Sequence, residues 1–239
     1  MKVLYEEQLV GRLVADRPGR SKIFENWGVD YCCGGNRSLR DACNRENIDI
    51  TALVHDLELN ESDHAISYEF DWNRATLSSL ANYIERFHHA FLKTALPRLT
   101  GLIEKVRNAH GAKHPELQEL SDIYGAFRAD LESHMETEEN SLFPQIRHLE
   151  TINNLLSDPC NSIANTVAEM EMDHQSAGDA LSKMRYLTND YQLPKRGCNT
   201  YRAMLDAIEE LERDMHQHVH KENNILFPKA IVREQELHL

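Results

Sequence analysis

The segment SHMETEENSLFP at residues 133–144 returns 84 residues later as QHVHKENNILFP at residues 217–228. Each copy holds a His, three residues, a Glu, three residues and then Leu-Phe-Pro. Four residues make about one helical turn, so His134 and Glu138 share one face of a helix, as do His218 and Glu222. Each copy also has a His upstream at nearly one distance: His89 lies 45 residues before His134, and His174 lies 44 before His218. The chain therefore reads as two similar helix pairs. Each pair offers one His from its first helix, and a His plus a Glu from its second.

The rest of the sequence agrees with helices. Only 10 Gly and 7 Pro interrupt 239 residues, and long stretches run at helical period without sustained alternation. The expected class is all-α. Four long segments, roughly 73–107, 115–148, 161–188 and 199–233, describe a four-helix bundle over residues 73–239. Pro97 is expected to bend or break the first of them. Residues 1–58 read as a small helical domain with a turn at DYCCGGN, where two glycines permit unusual backbone angles. Ser38 is an N-cap candidate with Asp41 three residues on, and Asp49 or Thr51 caps the next helix. Residues 59–72 read as a linker.

Four His and two Glu converging from four helices suit two metal ions. Imidazole with carboxylate favours iron, manganese or zinc over calcium or magnesium, and the lack of Cys in the set speaks against a structural zinc site. If each ion takes two His and both Glu bridge, each has four protein donors. A bridging oxygen makes five, and a position stays open for O2, NO or peroxide. In the first helix His88 and His89 are adjacent, about 100° apart, so both cannot face one point. The stripe Leu77, Ala81, Ile84, His88, Leu92 suits one and the 45/44 spacing suits the other.

Charge and hydropathy exclude other classes. A formal net charge of −13 disfavours nucleic acid and anionic membranes, which need clustered Lys and Arg. No run of 18 apolar residues predicts a transmembrane helix, and charges interrupt every apolar run of the first 20 residues, unlike a signal peptide. Five Cys at irregular spacing fit a reducing cytoplasm.

The motifs DYCCGG, HHAFLKTALPRL, SHMETEENSLFP, EMDHQSAG and HVHKENNILFP, in this order, resemble the repair-of-iron-centres family: hemerythrin-like di-iron proteins with a small N-terminal domain carrying a Cys-Cys pair. The resemblance covers essentially the whole chain. It implies a hemerythrin-like four-helix bundle holding two non-haem iron ions, oxo- and carboxylate-bridged. The implied ligands are His89, His134, His174 and His218, with Glu138 and Glu222 bridging. It also implies a cytoplasmic role in restoring iron–sulfur proteins damaged by nitric oxide or peroxide, by supplying iron. The alternative is NO reduction, or NO or O2 sensing, at the di-iron site. Oxygen-carrying hemerythrins have more histidines and end in His-x4-Asp. Here the last motif is His218-x3-Glu222 and position 223 is Asn, which speaks against simple O2 carriage.

Cys32 and Cys33 are adjacent, and a disulfide between neighbours is strained, so they read as thiols. A turn leading toward a helix N-terminus would lower a thiol pKa, and such a pair could accept iron, react with NO or form a mixed disulfide. A buried apolar pair is the plainer reading. Cys43, Cys160 and Cys198 receive no function. Phe24, Trp27 and Tyr31 are expected to form the core of the first unit, which is small enough to need the bundle or a second chain, as in a homodimer. Asp173 and Asp130 are candidates to orient imidazoles or draw cations inward. His216 and His220 point off the His218 face and are expected at the surface.

Overall fold

The computed structural model describes residues 5–63, 71–152 and 162–237, and among them no sheet strand occurs. In the first unit, helices α1 (Val10–Asp16), α2 (Arg20–Trp27), α3 (Leu39–Glu46) and α4 (Ile50–Asp63) follow a short 3-10 turn at Tyr5–Glu7. Gly28 closes α2 at φ 69°, a left-handed conformation that suits a residue without Cβ. Ser38 caps α3, its Oγ accepting from the Asp41 N–H at 3.1 Å. Asp49, not Thr51, caps α4: its Oδ1 accepts from the Thr51 N–H at 2.9 Å. Helix α4 continues to Asp63, into the stretch expected to be a linker.

Four rods make the bundle. The first joins α5 (Leu77–Tyr83), a π-helical segment Ile84–His89 and α6 (Ala90–His110). The second joins α7 (Glu116–Thr137), a π-helical segment Glu138–Leu142 and α8 (Phe143–Leu149). The third is α9 (Ile163–Leu187), regular throughout. The fourth joins α10 (Asn199–Lys221), a π-helical segment Glu222–Leu226 and α11 (Phe227–Leu237). Helix α6 packs on α10, and α7 packs on both α6 and α9.

Pro97 does not break the first rod. It sits inside α6, on the exposed face, where solvent can serve a carbonyl that loses its donor. The departure from α geometry comes earlier, over Ile84–His89. In the second and fourth rods the cause is legible. Pro144 and Pro228 lack an N–H and crowd the carbonyl four residues back. The ladder widens instead, and the Phe143 and Phe227 N–H groups reach five residues back to the Glu138 and Glu222 carbonyls. The repeated Leu-Phe-Pro thus places a widened turn at each repeat glutamate.

Two apolar clusters fill the interior. One gathers the first unit with the half of the bundle around Leu92, Leu131, Leu181 and Leu211. The other gathers Leu80, Ile84, Phe143, Ile146, Met170 and Phe227. The repeat His and Glu positions fall between them on each rod. The first unit shares its core with the bundle, so the support it needs comes from its own chain. Phe24 and Tyr31 are fully buried there, and Trp27, half-buried, donates from Nε1 to Asp56 at 2.8 Å.

Gly35 is required for space rather than for φ. A Cβ there would come within 2.3 Å of Asn224 Oδ1 and 2.6 Å of the Tyr31 carbonyl oxygen. Asn224 is held in place because its Nδ2 donates to the Tyr31 and Cys32 carbonyls at 3.3 and 3.0 Å. Gly35→Ala is expected to destabilise the chain by about 1–3 kcal/mol, the usual cost of overpacking. Urea unfolding of the whole chain checks this, and an unchanged midpoint would refute the contact.

Candidate metal centre

His89, Glu138, His218 and Glu222 bring one donor atom each within 4.8 Å of one another, and so do His134, Glu138, His174 and Glu222. Both groups are buried, and both glutamates belong to both. Glu138 sends Oε2 to His89 Nε2 and Oε1 to His134 Nε2, each at 3.3 Å. Glu222 sends Oε1 to His218 Nε2 at 2.9 Å and Oε2 to His174 Nε2 at 3.2 Å. Each carboxylate thus presents one oxygen to each group. The groups cross the sequence pairs: His89 joins His218, and His134 joins His174. The reason is the packing, which sets α6 against α10 and α7 against α9.

The residues fit cations better than they fit one another. His89 Nε2, both Glu138 oxygens and Glu222 Oε2 are buried with no hydrogen-bond partner. His134 Nε2 and His174 Nε2 meet at 3.0 Å, a contact that needs a proton on one of the two rings. Buried polar atoms are ordinarily satisfied, and a pair of cations between the groups would satisfy all of these at once. Burial opposes charge on His134, but Glu138 and Glu222 outweigh it and hold its pKa up at about 9. Burial and the neighbouring Glu222 push Glu138 up, yet the imidazoles of His134 and His89 bring its carboxyl below the usual range. Glu222 is driven well below that range despite burial, by His218 and His174. The pocket is already set for ionised carboxylates.

Outer partners fix the rings. His89 Nδ1 meets Glu139 Oε1 at 2.8 Å, and Lys93 holds Glu139 from the other side. His174 Nδ1 meets Asn223 Oδ1 at 2.8 Å. His134 Nδ1 meets Asp173 Oδ2 at 3.2 Å, so Asp173 orients the histidine across from it rather than its neighbour. Asp130 makes no such bond. It lines, with Asp173, His134 and His174, a cleft of about 500 Å³ between α7 and α9. Phe143 stacks on His89 and Phe227 on His174, so each repeat Phe covers the His from its own pair's first helix. Asn223→Ala is expected to weaken metal affinity by about tenfold or more, as loss of an imidazole's outer partner does. Competition against a chelator measures it, and unchanged affinity would show the Asn223 bond to be incidental.

Of the adjacent pair in the first rod, His89 enters one of the two candidate metal groups and His88 does not. His88 is buried too. It stacks on His218 with centroids 5.2 Å apart and gives Nδ1 to Asp214 at 2.9 Å. His220 is not at the surface. It is buried against the Tyr31 ring, and burial and then the Lys221 charge push its pKa down to about 3. His216, half-buried, meets the same ring. The docked N-terminal unit covers them, which the face of α10 alone could not reveal.

The cysteines also differ from expectation. Cys32 is buried, and its bond to Cys33, burial and the Asp30 charge push its pKa well up, so it is a thiol rather than a thiolate. The next helix starts only at Leu39, too far along to draw the proton off. Cys33, half-buried, donates from Sγ to the His174 carbonyl at 3.4 Å. Cys43 is buried, and Cys160 lies outside the described residues. Cys198 is exposed at the N-cap of α10, 3.3 Å from His110 Nε2, and that hydrogen bond chiefly brings its pKa down to about 7. At neutral pH Cys198 is therefore expected to alkylate ahead of Cys32 and Cys43, and His110→Ala to slow it several-fold. Peptide mapping after iodoacetamide checks the order, and equal labelling of all three would refute it.

Glu139 and Asn223 carry roles that sequence reasoning missed. They occupy the same place in the two repeats, directly after the glutamate, and each holds the upstream His of its own pair.

No helix among the described residues is long and apolar enough to cross a membrane. Residues 79–230 match the hemerythrin HHE cation binding domain, and residues 6–61 match a domain of unknown function, DUF542. The chain is 33% identical over 238 residues to the iron-sulfur cluster repair protein ScdA of Staphylococcus epidermidis, covering 95% of this chain and 100% of that one. It is 31% identical to ScdA of Staphylococcus haemolyticus, over 95% of this chain and 99% of that one. It is 33% identical to the iron-sulfur cluster repair protein YtfE of Yersinia pestis, over 95% and 98%. With both domains matched in order, and relatives aligned almost end to end, the chain belongs to the two-domain, hemerythrin-like family of iron–sulfur cluster repair proteins.

Proposed function

We propose that this protein restores iron–sulfur clusters damaged by nitric oxide or peroxide, supplying iron from a carboxylate-bridged pair of non-haem ions. One observation carries the reading: each of two buried glutamates offers one oxygen to each of two His-containing groups. His89 and His218 would hold one ion and His134 and His174 the other, with Glu138 and Glu222 shared. Iron bound there would supply an exchangeable, redox-active cation with positions left for small ligands. Glu139, Asp173 and Asn223 keep three of the imidazoles turned inward. The Phe143 and Phe227 rings keep bulk water off His89 and His174. Asp130 and Asp173 give the α7–α9 cleft an acidic lining beside His134 and His174, a path suited to an outgoing cation. The relatives' printed names, the four free cysteines among the described residues and the fit of both groups support this role in the cytoplasm, with damaged iron–sulfur proteins as partners.

The test uses a dehydratase whose cluster has been damaged by nitric oxide, incubated anaerobically with iron-loaded protein. Recovery of dehydratase activity is expected with wild type and not with Glu138→Ala. Equal recovery with both would overturn iron supply from this centre. N2O evolution from reduced protein given NO, without any recovery, would replace the reading with NO reduction.

A further inference from the structure

Outside the bundle centre, the described residues hold one more group of metal-ligating side chains: Asp30, Cys32 and Cys33, with donor atoms within 4.8 Å of one another. Its geometry is ordered from both ends. Asp30 Oδ1 accepts from the Cys32 N–H at 3.1 Å, the Cys33 N–H at 3.0 Å and Cys32 Sγ at 3.3 Å. Asn224, reaching over from the fourth rod, takes the Tyr31 and Cys32 carbonyls and pins the turn. The two sulfurs stand 3.9 Å apart. A tetrahedral ion with sulfur ligands at about 2.3 Å sets its sulfurs about 3.8 Å apart, so the thiols already span such an edge. Strain disfavours the alternative use of adjacent cysteines, a disulfide between them. Asp30 is exposed and Cys33 half-buried, which leaves an entry path from solvent, while Cys32 is buried.

We infer that Asp30, Cys32 and Cys33 form a second, mononuclear site for a soft divalent cation, ferrous iron being the occupant. Two thiolates and a carboxylate select such an ion over calcium or magnesium. Three protein donors leave the fourth tetrahedral position for water or for a ligand from a partner, as in sites that exchange what they bind. On binding, the two thiol protons leave to solvent. Cys33 Sγ touches the His174 carbonyl, so this site abuts the residue that completes one of the buried groups. That contact makes it a staging point for iron passing between the buried pair and a client. The staging role rests on the proposed function, whereas the binding itself does not.

Cobalt(II) is the probe, because thiolate-to-cobalt charge transfer reports sulfur ligation directly, apart from any repair assay. The protein carries its iron at the bundle centre and Cys198→Ser, which removes the exposed thiol beside His110. One equivalent of Co(II) is expected to raise an intense near-ultraviolet band with tetrahedral visible transitions. Cys33→Ser and Cys32→Ser should abolish the band, and Asp30→Asn should weaken binding by about tenfold or more. No band in the parent, or one that survives Cys33→Ser in protein of unchanged circular dichroism and iron content, would overturn the site. Such a result would leave the repair reading standing. A band that vanishes in the cysteine variants, where those variants repair as well as wild type or wild type itself repairs no cluster, would keep the site and remove only its staging role.

Discussion

Glu138→Ala should be purified nearly free of iron, whereas His89→Ala should keep about half of the wild-type content of roughly two ions per chain, the loading of a bundle di-iron site. The difference follows from which atoms each side chain supplies. Glu138 gives Oε2 to the group of His89 and His218, and Oε1 to the group of His134 and His174. Its removal takes one donor from both groups at once. His89 gives Nε2 to a single group. Glu138→Gln separates charge from size. A carboxamide fills the same space, carries no charge, and turns an NH2 toward one group, so it too should lose most of the iron. Elemental analysis of anaerobically purified protein decides the matter, with circular dichroism to show that the rods persist. If Glu138→Ala and His89→Ala each lost one ion, the carboxylate would be serving a single group and the shared arrangement would be wrong.

The clustering of the candidate ligands was legible because it is local twice over. A His and a Glu four apart need only a helix to meet, and the second copy removes coincidence. The upstream histidines followed from the repeat spacing, since His89 and His174 stand at matching distances from their partners. Grouping was not legible: spacing divides the histidines into two helix pairs but does not say which of them share an ion, and packing of α6 on α10 and α7 on α9 joins one from each pair. Glu139 and Asn223 could have been found by carrying the repeat register one residue further, although their different chemistry hid the equivalence. The widened turns at Glu138 and Glu222 were foreshadowed by Pro144 and Pro228, whereas the one before His89 has no proline in reach. Pro97 misled because its position on the exposed face matters more than its presence. His220 and Cys32 were misjudged for one common reason. Both lie where the first unit meets the bundle, and burial there depends on contacts such as Asn224 with Tyr31, 193 residues apart, which no local pattern records.

Chelating the metal should lower the thermal midpoint of the wild-type chain by about 10 °C, and should leave a Glu138→Leu/Glu222→Leu variant unmoved. A ligand that binds only the folded state at about a thousand times its dissociation constant stabilises by about 4 kcal/mol. In a chain of this size each kcal/mol moves the midpoint by about 2–4 °C. Structure sharpens the expectation. Without cations, two fully buried carboxylates face each other across four imidazoles, with both Glu138 oxygens and one of Glu222 unpartnered. That arrangement taxes the folded state, and exchanging buried ionic groups for well-packed apolar ones is often neutral or stabilising. The leucine variant, unable to hold metal, should therefore unfold at or above the midpoint of chelated wild type. It should also be blind to the chelator, because His89, His134 and His174 keep their Nδ1 partners and no longer have an ion to lose. Calorimetry with and without chelator reads all four states. A wild-type midpoint indifferent to chelation would mean that the buried groups hold no stabilising ion. A leucine variant far below chelated wild type would mean that the glutamates hold the bundle together by themselves, through their ion pairs with the histidines.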